Sequence, residues 1–110
     1  MNPPKVTHNL PILNLLTELE TVVHRATAKW TNSDPVPKTL KLLDDMSVQI
    51  YLLKQFVAED SMVAVQVAWK DEIFGPVAFD KAFYGQGAIG TEAKMLRDKI
   101  LKAIIARISK

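Results

Sequence analysis

Ser61-Met62-Val63-Ala64-Val65-Gln66-Val67-Ala68-Trp69 is the stretch whose reading decides the fold. Val63, Val65, Val67 and Trp69 alternate strictly, which is the pattern of a half-buried strand. Met62, Ala64 and Ala68, on the other parity, are also small or apolar. A buried helix capped by Asp60 or Ser61 and stopped by Gly75-Pro76 therefore fits the same letters. A strand needs a partner, and the best one on offer is Val77 to Tyr84. That segment loses its alternation at Asp80-Lys81, while Phe79 and Phe83 sit four apart, as on one or two helical turns. We therefore read a helix over 61–74, with an α+β fold carrying a β-hairpin in 62–84 as the alternative.

Toward the N-terminus, two longer helices support this choice. Ile12, Leu15, Leu16, Leu19, Val22, Val23, Ala26 and Trp30 recur at three- and four-residue steps, the stripe of an amphipathic helix over 11–31. Pro11 suits its first turn, where a missing N–H costs nothing, and residues 1–10 read as a flexible tail. Asn32 to Pro37 holds turn residues and two prolines, a strong break. Leu40, Leu43, Met46, Ile50, Leu53 and Val57 mark a second helix over 37–58. Leu42, Leu52 and Phe56 widen its stripe toward two neighbours.

Toward the C-terminus, Gly85 to Gly90 reads as a loop. Thr91 is placed to cap a last helix over 91–109, buried along Leu96, Ile100, Leu101, Ile104, Ile105 and Ile108. The expected fold is thus all-α: one domain over 1–110, a four-helix bundle with a short extra helical turn before a Gly-rich loop.

Composition agrees with a globular domain, with 110 residues of which 48% are hydrophobic and 24% charged. The absence of cysteine excludes a disulfide, a thiolate metal site and a cysteine nucleophile. The longest near-continuous apolar run, Met62 to Trp69, is too short to span a bilayer, and the N-terminal residues lack a secretory pattern. We expect a cytoplasmic or nuclear protein with no membrane span.

Gly85, Gly87 and Gly90 match G-x-G-x-x-G ahead of a helix, an arrangement that can cradle a pyrophosphate. The motif needs a strand on either side, and the twenty residues after Gly90 leave no room for the second. We expect a connecting loop instead, with Thr91 and Lys94 as a residual anion site. Glu20 and His24 share a helix face, but no second histidine joins them, so no metal and no cofactor is expected. Asp44-Asp45, Glu59-Asp60 and Asp71-Glu72 are each adjacent in sequence, so on a helix each pair diverges by about 100° instead of forming a dyad. The four serines, Ser33, Ser47, Ser61 and Ser109, lie in no nucleophile-elbow context.

Charge and aromatic distribution say more. Residues 94–110 carry six basic side chains against Asp98 alone, a net of +5, while the rest of the chain nets −3. Five of the eight aromatics lie between Trp69 and Tyr84. These features suggest a non-enzymatic helical protein–protein interaction module: an adaptor, assembly factor or regulatory subunit, most simply a homodimer. Phe79, Phe83, Tyr84, Lys99, Lys102 and Lys110 are its candidate partner-binding residues. Arg97 falls within the apolar span of the last helix and should meet a carboxylate, either Asp44 or Asp45 or one on a partner chain. Nucleic-acid binding through the basic last helix is the alternative, and a small helical enzyme using Arg97, Gln66 or Lys70 is a further one. Far-UV circular dichroism should show helix well above the roughly one-third average of globular domains, and backbone chemical shifts of strand type across 62–69 would overturn the bundle.

Overall fold

Proline opens three of the five α-helices in the computed structural model, which describes residues 3–31 and 37–109. Pro3 begins α1 (Pro3–Thr31), Pro37 begins α2 (Pro37–Ala58) and Pro76 begins α4 (Pro76–Ala82). The first helical position needs no N–H partner, and the fixed φ of proline is already helical. α3 (Met62–Trp69) and α5 (Ala88–Ile108) complete the set, with one turn of 3₁₀ helix at Glu72–Phe74. No strand occurs among the described residues, so the hairpin alternative falls and the all-α bundle stands.

Neighbouring limbs run antiparallel. Asn9, early in α1, bonds the Val57 carbonyl at the end of α2, while Arg25, late in α1, pairs with Glu92 at the start of α5. α1 packs along both α2 and α5, and α2 packs along a broken limb made of α3, the 3₁₀ turn and α4. That limb closes the square only thinly, because α3 meets α5 sparsely. The resulting rod measures 48 × 24 × 20 Å. Leu16, Leu19, Val23, Leu43, Met46, Ile50, Leu53 and Ile100 are fully buried along its axis, as their helical spacing requires.

Three boundaries differ from the sequence reading. The expected tail over 1–10 is helical from Pro3 onward, and Pro11 lies inside α1. The hydrogen bond lost at Pro11 is outweighed by what the preceding turn gains. Asn9 is fully buried and its amide is saturated, with Nδ2 donating to the Val57 carbonyl (2.8 Å) and to Asp60 Oδ1 (3.0 Å). The helix expected over 61–74 stops at Trp69. Asp71 there takes up an extended backbone and its carboxylate accepts from the Ile73 N–H at 3.0 Å, a local turn that competes with helix. Gly75 is also extended, as a residue before proline must be. Finally, α5 starts at Ala88, so Thr91 is not its cap; the Thr91 hydroxyl bonds back to the Gly87 carbonyl. The break expected at Asn32 to Pro37 lies outside the described residues, apart from Pro37.

α2 ends in a Schellman turn. The Ser61 N–H bonds the Phe56 carbonyl at 2.8 Å and the Asp60 N–H bonds that of Val57 at 3.1 Å. The turn requires a positive φ, and Asp60, not glycine, supplies it (φ 60°). The carboxylate explains the choice. Besides Asn9, it accepts from Arg107 Nη2 at 2.8 Å, while Arg107 Nε donates to Asn9 Oδ1 at 3.1 Å. One side chain thus joins the start of α1, the α2–α3 turn and the end of α5. Asp60→Ala should cost about 2 kcal/mol, because it strands a charged donor, and Asp60→Gly should recover about 1 kcal/mol by relieving the left-handed backbone. Urea unfolding of both variants measures this; an Asp60→Gly protein more stable than the parent would show that the carboxylate adds less than the strain.

Candidate interaction groove

The break at Asp71–Gly75 shapes a broad concavity on one side of α2. A continuous fourth helix would lie flush against α2. Instead the 3₁₀ turn and the first turn of α4 leave a groove of about 820 Å³ beside α2. Its floor is the buried Ile73 with the half-buried Leu42 and Ala78. Val48 and Val77 form apolar lips and are 51% and 66% exposed. Leu42, Asp45 and Gln49 recur at three and four residues along α2, so one flank of that helix makes the wall. Asp45, Asp71 and Glu72 line the rim, but Asp45 pairs with Lys41 at 3.5 Å and Lys81 stands among them, so the negative bias is small. Such a surface can bury apolar side chains and hold cations around them. Among the described residues no group of three or more His, Asp or Glu side chains could hold a metal.

The aromatic residues expected to anchor a partner mostly face inward. Phe79 is fully buried and Phe83 nearly so, their rings 5.5 Å apart in the core. Trp69 stacks on Phe74 at 4.6 Å, which ties the end of α3 to the 3₁₀ turn. Phe79 and Phe83 are therefore corrected to core residues: at helical spacing on a short limb they are the side chains long enough to reach the axis. Tyr84 alone of the three faces solvent, at 78% exposure.

The basic residues divide. Lys99 and Lys102 are exposed on α5, while Lys110 lies outside the described residues. Lys94 pairs with Asp80 at 2.9 Å. Thr91 lines a second, smaller hollow together with Glu18 and Glu92. Thr91 and Lys94 thus do not converge on an anion. The glycine loop has its own structural reasons: Gly85 and Gly87 take positive φ, and a Cβ on Gly90 would stand 3.2 Å from the Phe83 Cβ. A helix, not a strand, precedes it.

Arg97 does not reach Asp44 or Asp45. Its nearest carboxylate is its neighbour Asp98, at a loose 3.8 Å, and its guanidinium lies over the Phe79 ring, 5.0 Å from the centroid. α5 places the side chain against α4 and not against α2, which is why the expected partners are out of range. Gln66 is half-buried on α3 and Lys70 is exposed, and nothing brings them to Arg97. Sequence reasoning missed Asp45, Val48, Glu72 and Val77 as one surface. The available signals were Val48, which falls off the buried stripe of α2, and Val77, which directly follows the proline that breaks the limb.

Comparison with protein families, with curated proteins and with solved structures finds no match for this chain. Among the described residues no helix is long and apolar enough to cross a membrane.

Among the described residues Arg97 Nη1 is buried without a hydrogen-bond partner. Arg97→Met keeps the apolar stem and removes that orphan donor, a penalty of about 1–3 kcal/mol, against a cation–π contact worth about 1 kcal/mol. Thermal unfolding should find Arg97→Met at or above the parent stability, whereas Arg97→Ala, which also loses stem packing, should fall below it.

Proposed function

We propose that this chain is a non-enzymatic helical interaction module, an adaptor, assembly factor or regulatory subunit. It takes an apolar segment of a partner protein into the groove beside α2. The observation that carries this reading is the pairing of Val48 and Val77. Both project apolar surface at the mouth of one groove whose floor is apolar, and burying such surface yields about 25 cal/mol per Å². Asp71 and Glu72 on the rim bias the choice of partner by charge, since opposite potentials favour encounter and like ones suppress it. Nucleic-acid binding has less support, because Lys94 and Arg107 are committed to Asp80 and Asp60 and Arg97 to the Phe79 face.

The test is affinity capture from the source organism with the parent and a Val48→Asp/Val77→Asp variant. Both positions are more than half exposed, so the variant should melt within about 1 kcal/mol of the parent. Chains retained by the parent should be lost from the variant. Identical capture by both proteins would remove the groove as the docking site.

A further inference from the structure

We infer that α3 is a lid: it unwinds locally while the rest of the bundle stays folded, and its opening lengthens the groove along α2. The second half of this inference rests on reading the groove as a protein-docking site.

α3 is the most loosely held of the helices that flank α2. It has eight residues, about two turns, and a helix that short does not persist on propensity alone. Three of the eight are valines, whose branched Cβ loses rotamer freedom in a helix. The Ser61 hydroxyl makes no capping bond to its first turn. Packing therefore has to hold α3, yet only Val65 is fully buried, while Val63 and Val67 are 75% and 68% exposed. α5 gives little support. Lys94 and Arg97 mark the flank of α5 that faces the limb, through Asp80 and the Phe79 ring. Leu101, Ile105 and Ile108 continue that flank to where α3 meets α5 sparsely, and there they stay 41%, 53% and 40% exposed.

The two ends of α3 are anchored independently of it. Before it, Asp60 is held by Asn9 and Arg107. After it, the Asp71 carboxylate holds the Ile73 N–H, and Ile73 and Phe74 are buried. Residues 61–70 can thus unwind between anchors that stay in place. As a helix they span about 14 Å, and an extended chain of that length reaches about twice as far, so no other element has to move.

Beneath α3 the groove wall continues. Leu42, Asp45, Gln49, Leu52 and Phe56 recur at three- and four-residue steps on one flank of α2, and all five are half-buried. The first three line the groove. α3 returns antiparallel from the Asp60 turn, and its length of about 12 Å runs back past Phe56 to the level of Leu52. Unwinding α3 adds these two apolar residues to the wall, which grows from about two helical turns to about four.

Native-state hydrogen exchange on the full chain tests the opening without any partner. The amides of Val65 to Trp69 should exchange at least about tenfold faster than those in the middle of α1 and α2, with little dependence on low urea. Val63→Ala/Val67→Ala raises helix propensity at two exposed positions and should slow that exchange about fivefold; Val63→Gly/Val67→Gly should speed it about threefold. Exchange in α1 and α2 should stay the same in both variants. Anilinonaphthalene sulfonate, whose fluorescence reports accessible apolar surface, should brighten with the glycine pair and dim with the alanine pair. Leu52→Gln added to the glycine pair should remove the gain. Exchange of Val65 to Trp69 only through global unfolding overturns the lid. Dye fluorescence indifferent to the two pairs, or to Leu52→Gln, overturns the lengthened groove. Capture by Val48→Asp/Val77→Asp is a separate matter, since it tests the groove with α3 in place.

Discussion

The Asp60 carboxylate is the point on which the bundle's register depends. Helices packed by apolar stripes alone can slide by a turn, since leucine and isoleucine faces are alike every three or four residues. A carboxylate that accepts from both Asn9 and Arg107 admits one register only. The pair is partly shielded, with side chains 30% and 22% exposed for Arg107 and Asp60. A misaligned helix would strand its charges where water reaches them poorly. At the opposite end of the rod the Gln86 amide donates to the Ala26 carbonyl at 3.3 Å, a neutral bond that adds a second, weaker marker. Specific polar contacts thus sit at the two poles, and between them apolar packing is joined by the Lys54–Glu20 pair, at 3.2 Å, across α1 and α2.

The second constraint is the broken limb. Asp71 and Pro76 each stop a helix for a local reason, one by a side-chain turn and the other by restricting Gly75. Neither interruption is repaired by tertiary packing. The limb instead stays short, with Trp69 stacked on Phe74 holding its two halves together. The cost is incomplete cover on both sides, the groove against α2 and the bare flank of α5. The two interruptions together account for both exposed apolar surfaces.

Much of this fold was legible in the sequence. Three- and four-residue apolar spacing located every long helix, and it resolved the Val63–Trp69 ambiguity once Phe79 and Phe83 denied the strand a partner. The helix starts at Pro3 and Ala88 were not legible. Each depends on a contact distant in sequence, such as Asn9 with Val57, or on a backbone angle at Gly87. The aromatic cluster was half misread for a related reason. Composition locates aromatics but not their direction, and on a seven-residue helix a shift of one position turns a side chain from solvent to core. Val48 and Val77 lie 29 positions apart, so no local pattern could have joined them.

The bond between Asn9 and Arg107 spans 98 residues of chain and brings the early part of α1 and the last turn of α5 to the same pole. Traced as a circuit, the four limbs then form a ring in which side-chain bonds join α5 to α1. The present order of the limbs is one of several cuts of that ring. A short linker across this pole, with new termini opened at the exposed Tyr84–Gly85 turn, would keep every helix beside its present neighbours.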